Sequence, residues 1–541
     1  MKVARKSTLF PIIIGICVIT TTFIIWVYNS YALRIATDPH PAMVYTTNTQ
    51  EAVATSDLNC RYGISTSDEI TEDWLGIFNA GWYLNFTAFP KRSLDSEFVH
   101  VVHIKQNKSQ GQYLNSYSIT PALTDADLGQ LVDANPGALW ILGNEPDVHS
   151  VQDDIYPEVY ARGYHDAYSF IKQRDPSALI ANGALSMATP GRLQYLDIVW
   201  DTYLEEYGEP MPVDVWTFHL YILSEKQRAN GKDADGKIAL GTDPALAKLD
   251  GANNPAFCPE EQTYCRAEHD SLTIFTQQVQ AMRQWMKDHG QQHKPLLLSE
   301  FSILYPYVDD GGTCFVSDEY GKCFTPDRVN AFMDATLNYL ETATDTSLGM
   351  PADNYRLVQQ WLWFSMVTET EESTGASSDF LNRGTYNTKA VGDLSVLTPV
   401  GQNFYDHMQG QSTYVNLKAT QAMPVAINTS GGSVTVTLTV EIYNNGTRSI
   451  TTPFDVTFYK DAALTNPIGT VTVSPTLEGC ARRSYTASVS WPGLTSGKYT
   501  YWVKVDSGDV IAETNELSSD NVLSGVVLVD PENVFLPMTS R

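Results

Sequence analysis

Positive charge is scarce in this chain. Against 62 Asp and Glu stand 35 Lys and Arg, for a net charge of −27 at pH 7. Nucleic-acid partners require basic patches, so the balance argues against that class of function. Cysteine is sparse as well, with 7 among 541 residues. No pair has the C-x2-C spacing of a structural zinc site. Cys258 with Cys265, and Cys314 with Cys323, are close pairs expected as loop disulfides of an exported chain, with the connectivity left open by spacing alone. Cys60 and Cys480 read as free thiols. A calcium loop of alternating acids around a glycine is also missing, and Asp309-Asp310-Gly311-Gly312 reads as a turn. No metal and no cofactor is expected.

One long uncharged run opens the chain. Lys2, Arg5 and Lys6 precede residues 9–28, long enough to span a bilayer as a helix. Ser30-Tyr31-Ala32 offers small residues for signal-peptide cleavage. The length of the run favours an uncleaved signal anchor instead. Either reading of residues 1–35 puts the remainder outside the cytoplasmic membrane, anchored or secreted. Residues 36–57, rich in Thr, Pro and Ala, read as a linker.

What the chain has is core. Hydrophobic residues make up 43% and aromatics 11%. From residue 58 to 410, strand-like and helix-like segments alternate, the signature of a parallel sheet. Strands are expected at 62–65, 82–86, 98–103, 138–143, 179–182, 213–221, 295–300 and 357–364. Helices are expected at 69–79, 124–132, 156–174, 193–207, 271–289 and 329–342. Strands separated by helix-capable segments in this number make a (β/α)8 TIM barrel the economical fold, with its site at the C-terminal strand ends.

Two strand ends carry acids. The apolar run 138–142 stops at Gly143 and delivers Asn144-Glu145-Pro146-Asp147. Leu296-Leu297-Leu298-Ser299 delivers Glu300, and period-2 alternation puts Glu300 on the side of Leu296 and Leu298. Cleaving a glycosidic bond with retention needs two carboxyls about 5–5.5 Å apart, one to attack and one to protonate the leaving oxygen. Glu145 would stay protonated beside a negative Glu300.

Asn144, Glu145 and Glu300, on strands four and seven, resemble the retaining barrel glycosidases of clan GH-A. The resemblance covers roughly residues 61–410. It implies Glu145 as acid/base, Glu300 as nucleophile and Asn144 as a ligand of the sugar 2-hydroxyl. It further implies that His219 or Tyr221, two apart on one side of strand six, hydrogen-bonds Glu300. Trp363 resembles the tryptophan that floors the sugar subsite at the scissile bond. Trp82 and His103 are lesser candidates for the cleft.

After about residue 411 the pattern becomes all-β. Strict alternation at 434–440 and further short strands to residue 528 indicate an immunoglobulin-like sandwich over 411–530, before a tail at 531–541. Asn444-Asn445-Gly446-Thr447 and the segment 511–516 resemble the CARDB (cell adhesion related) sandwich, which implies a binding or spacer module. The expected function is a retaining glycosidase acting on an extracellular, β-linked oligo- or polysaccharide. The alternative is a catalytically inactive carbohydrate-binding or cell-surface adhesion protein.

Overall fold

The computed structural model describes residues 58–225, 236–247, 263–307, 314–420, 425–429, 431–474, 476–514 and 518–531. The expected membrane segment and linker, Cys17, Cys258, the turn at 309–312 and the tail from 532 lie outside them. Among the described residues no helix is long and apolar enough to cross a membrane.

A mixed α/β body comes first. Its strands are β1 (Asn59–Ser65), β2 (Ala80–Leu84), β3 (Glu97–Phe98), β4 (His100–Ser109), β5 (Gln112–Thr120), β6 (Leu139–Asn144), β7 (Leu179–Ala184), β8 (Trp216–Leu220), β9 (Leu296–Phe301) and β10 (Gln360–Trp363). β1 pairs in parallel with β2 and β10, β10 with β9, and β9 with β8. β4 pairs in parallel with β6, and β6 with β7. Parallel bridges Ala181–Val215 and Leu185–Phe218 join β7 to β8. β2 pairs with β3, and Val99 N–H donates to Tyr83 O across the same edge. Strands that all run one way bring their C-terminal ends to one side.

The helices are α1 (Glu69–Asp73), α2 (Gln130–Ala134), α3 (Pro157–Arg174), α4 (Pro190–Tyr207), α5 (Leu272–Asp288), α6 (Pro326–Thr342) and α7 (Pro399–Gln409). α3, α4, α6 and α7 open on proline, which lacks the N–H that a first turn leaves unused. α3 buries Val159, Tyr160, Tyr164, Ala167 and Ile171, an apolar stripe at helical spacing. These residues and Trp140, Leu142 and Ile180 share the core between helices and strands. A smaller apolar cluster, including Trp82, Val101, Leu139, Ile141, Leu297 and Leu362, fills the opposite side of the strands.

Several expectations for the body change, and the helix expected at 69–79 ends at Asp73. The third strand continues past His103 and returns as β5, an antiparallel hairpin turning at Gln110 and Gly111, both at positive φ. β5 alternates between exposed and half-buried residues, so it carries no apolar signature. The helix expected at 124–132 is a π-turn (Asp125–Gly129) running into α2. Strand 213–221 shortens to Trp216–Leu220.

A β-sandwich region follows, with β11 (Leu417–Thr420), β12 (Val425–Ile427), β13 (Val434–Asn444), β14 (Phe454–Tyr459), β15 (Pro467–Val473), β16 (Ser484–Leu494), β17 (Gly497–Lys504) and β18 (Val522–Val529). One sheet has the order β11-β13-β16 and the other β12-β18-β17-β14-β15. Alternating residues such as Val436, Leu438, Val440 and Ile442 of β13 point into their shared core.

The sandwich is fastened to the body. Cys60 and Cys480, expected as free thiols, form a disulfide across 420 residues of sequence. Sequence distance hid a pair that folding makes adjacent. The Arg61 guanidinium donates to both Asp353 oxygens at 3.0 and 2.9 Å and to Asn445 O at 3.1 Å. Arg483 donates to Ser177 O and Gly137 O, each at 2.6 Å, and Arg482 pairs with Glu97. The body's contact residues stand at or just before the starts of β1, β3, β6, β7 and β10. The sandwich therefore covers the N-terminal ends of the parallel strands. Cys314 and Cys323 are paired as expected, and Cys265 is also disulfide-bonded.

Candidate active site

β6 ends on Asn144, and the chain turns sharply to present Glu145. Gly143 makes this possible: at φ 116°, a Cβ there would lie 3.2 Å from the Tyr160 ring and 3.3 Å from Gly183 Cα. Glu145 itself sits at φ 44°, a conformation that costs a non-glycine residue about 1–2 kcal/mol. The turn is held from several sides. Glu145 N–H donates to Ala184 O at 2.9 Å, and Asn144 N–H donates to Asp153 Oδ2 at 2.8 Å. Asp153 is pinned in turn by His103 Nδ1 at 2.6 Å.

Asp147 anchors the far end of the turn. It is fully buried and pairs with the buried Arg192, which reaches Glu225 through Nε at 2.6 Å and donates to Gly236 O and Lys237 O. Thr189 and Thr263 complete the Glu225 carboxylate at 2.8 and 3.2 Å. One guanidinium thus joins the Glu145 turn to the segments after β8. Burial pushes the pKa of both acids up, and the Arg192 charge opposes it.

Glu300 arrives by a bulge. Phe218 of β8 pairs with Leu298, but His219 pairs with Glu300, so Ser299 is the extra residue. Simple alternation would group Glu300 with Leu296 and Leu298, which pack toward the helices. The bulge turns Glu300 to the other side, where Ser299 Oγ also meets Thr217 Oγ1 at 2.7 Å.

His219 lies between the two glutamates. Its Nδ1 is 3.0 Å from Glu145 Oε1 and its Nε2 is 3.1 Å from Glu300 Oε1. Tyr221 Oη donates to Glu300 Oε2 at 2.8 Å. One oxygen of each glutamate and one His219 nitrogen all lie within 4.8 Å of one another. The same three groups are close enough to share a metal ion. All four side chains are buried. Burial pushes the Glu300 carboxyl up to about 7, with the Glu145 charge adding to the rise, while His219 and the Tyr221 hydrogen bond oppose it. Burial alone would lower the His219 pKa, but the Glu300 charge and the Glu145 hydrogen bond raise it above the ordinary imidazole value.

Of the residues expected here, Glu145, His219, Tyr221 and Glu300 come together. Asn144 Nδ2 donates to Gln152 Oε1 at 3.0 Å. Trp363 does not join them. It is 1% exposed, donates its indole N–H to Ser378 O at 2.9 Å and packs on Phe301 and Phe380. β10 turns Trp363 toward the helices. Its neighbours Leu362 and Phe364 lie on the opposite side instead, with Phe364 beside Phe86 at 5.9 Å. Trp82 is fully buried in that same cluster. The bridge from His219 to Glu145 and the Arg192 hub have no local sequence signal, since their partners lie 74 and 45 residues away.

Known proteins are similar to this chain in both regions. The CARDB family model matches residues 421–524. Residues 421–524 are a CARDB domain. Among solved structures, a GH128 (subgroup II) endo-β-1,3-glucanase from Sorangium cellulosum is 15% identical, with 64% of this chain and 98% of that one covered at a TM-score of 0.35. A GH128 (subgroup III) curdlan-specific exo-β-1,3-glucanase from Blastomyces gilchristii is 13% identical, with coverage of 64% and 97% and a TM-score of 0.35. The CARDB domain of a Pyrococcus furiosus protein, solved with di-metal ions, is 18% identical over 22% of this chain and 96% of its own, at a TM-score of 0.18. No curated protein matches the sequence.

Proposed function

We propose that this protein is a retaining glycoside hydrolase of the clan GH-A type, built on a (β/α)8 barrel and acting on a β-linked extracellular glycan. The observation that carries the reading is the pair of buried glutamates with carboxyl oxygens within 4.8 Å of each other, at the C-terminal ends of β6 and β9. That closeness supports direct attack by one carboxylate rather than the wider spacing of an inverting pair. Ring closure of the parallel strands is supported by the bridges between β7 and β8 and the bonds from β2 to β3.

In the first step Glu300 attacks the anomeric carbon as the glycosidic C–O bond breaks, and Glu145 gives its proton to the leaving oxygen. In the second, Glu145 takes a proton from water, whose oxygen bonds the anomeric carbon, and the ester bond to Glu300 breaks. Asn144 orients the sugar 2-hydroxyl. His219 and Tyr221 favour the ionised form of Glu300 against its burial. The disulfides support an oxidising compartment outside the cytoplasm, anchored or secreted.

Replacement of the nucleophile tests the reading. Glu300→Ala abolishes turnover on a glycan panel, and azide restores part of it with inverted stereochemistry. Glu145→Ala keeps turnover of aryl glycosides whose leaving group needs no proton. Near-wild-type hydrolysis by Glu300→Ala would refute the assignment.

A further inference from the structure

Exposed aromatic rings are rare among the described residues. Among the described residues, the large exposed hydrophobics include two aromatics, Phe315 at 43% and Tyr320 at 60%. Both belong to one short loop closed by Cys314 and Cys323. The loop lies beyond the end of β9, on the side of the molecule where Glu145 and Glu300 meet.

The loop is stiff. Asp318 Oδ1 accepts from the backbone N–H of Tyr320 and of Lys322 at 2.9 Å each, and Asp318 N–H donates to Lys322 O at 2.9 Å. Arg328 holds Asp318 at 2.9 Å while gripping Asp270 with two donors. The Glu319 carboxylate accepts from the N–H groups of Arg266 and Ala267 at 3.0 and 2.8 Å. This neighbouring segment leads back to the site. His269 bonds Ile222 O at 2.8 Å and accepts from Leu304 N–H at 2.9 Å, and Ile222 directly follows Tyr221.

Two exposed rings on a stapled loop lose less entropy when a ligand arrives, because the backbone that carries them is already ordered. Their apolar faces suit the C–H faces of sugar rings. The acids of the loop and the −27 net charge disfavour an anionic chain. We propose that Phe315 and Tyr320 form a distal stacking platform for further sugar units of a neutral polysaccharide whose scissile bond lies between Glu145 and Glu300. The platform rests on the glycosidase reading for its link to hydrolysis, but its binding role can be tested without turnover.

The test compares kcat/KM on a long neutral glucan, chosen from a panel of neutral β-linked polysaccharides, with kcat/KM on an aryl monoglycoside. In Phe315→Ala/Tyr320→Ala the ratio of long to short falls about tenfold, and Tyr320→Trp restores it. An unchanged ratio overturns the platform. Binding is measured separately by titrating the polysaccharide into Glu300→Gln, with and without the two alanines. If the wild type hydrolyses nothing, the glycosidase reading fails, yet weaker binding by the alanine variant still supports the platform. Equal affinity with and without the rings, or equal affinity for an anionic polysaccharide, overturns it.

Discussion

At the residue scale three side chains carry the proposed chemistry. Glu300 is buried strongly enough to lift its carboxyl to about 7, and an attacking carboxylate must be ionised. The expected acid limb of kcat/KM therefore lies near 7, with activity lost as pH falls through it. Tyr221 donates to Glu300 and favours the charged form. Tyr221→Phe removes that help, so the Glu300 pKa rises and the acid limb moves to higher pH. A hydrogen bond to a charged group contributes about 1.5–3 kcal/mol, so kcat/KM falls about 10- to 100-fold. A pH–rate profile checks both statements, and an unmoved limb would show that Tyr221 does not tune Glu300. His219 works in the same direction through its charge.

At the element scale the site depends on irregularities in otherwise ordinary strands. The Ser299 bulge aims Glu300, and the Glu145 turn is held by Asp147 and Arg192. Arg192→Met leaves Asp147 and Glu225 buried without their cation. Breaking such a pair costs about 3–5 kcal/mol, to be seen as a lower thermal midpoint. Hydrolysis by the folded fraction falls as well, since the turn carrying Glu145 loses its tether. Undiminished activity per folded molecule would confine Arg192 to stability. The order of strands and helices was legible because apolar period and proline or glycine boundaries are local signals. The bulge was not, because it depends on which residue of β8 faces which residue of β9. For the same reason Trp363 could be placed at the end of β10 but not on its correct side.

The whole molecule has two differently built ends. The glutamates sit at the C-terminal ends of the parallel strands, and the CARDB-containing sandwich covers the N-terminal ends. Cys60–Cys480, Arg61 and Arg483 make it a base of the body. Loss of that disulfide, in Cys60→Ser/Cys480→Ser, costs about 2–5 kcal/mol by denaturant unfolding. Truncation after Gly410 exposes Arg61, Met350 and Ala352 and lowers the thermal midpoint rather than only removing an attachment module. Proton linkage adds a global signature. Glu300 at about 7 and Asp379 at about 6 are both raised above their ordinary 4.5 and 3.8, so the folded state holds more protons than the unfolded state between those values. Raised His219 acts the same way: its stabilising charge is present at low pH and lost as pH rises. These groups therefore make stability decline as pH rises from 5 to 8. Thermal midpoints across that range check it, and Glu300→Gln flattens the decline.

The sequence by itself determined the alternation of strands and helices, the all-β region after residue 411 and the acids at two strand ends. Each is written in residues close together, where period, turn chemistry and composition act. Tertiary structure decided what depends on register and distant approach. It turned Glu300 toward Glu145 through one extra residue, set His219 between them, and buried Trp363 on the helix side. It also joined Cys60 to Cys480. These outcomes come from packing whole elements against one another, which no local pattern encodes.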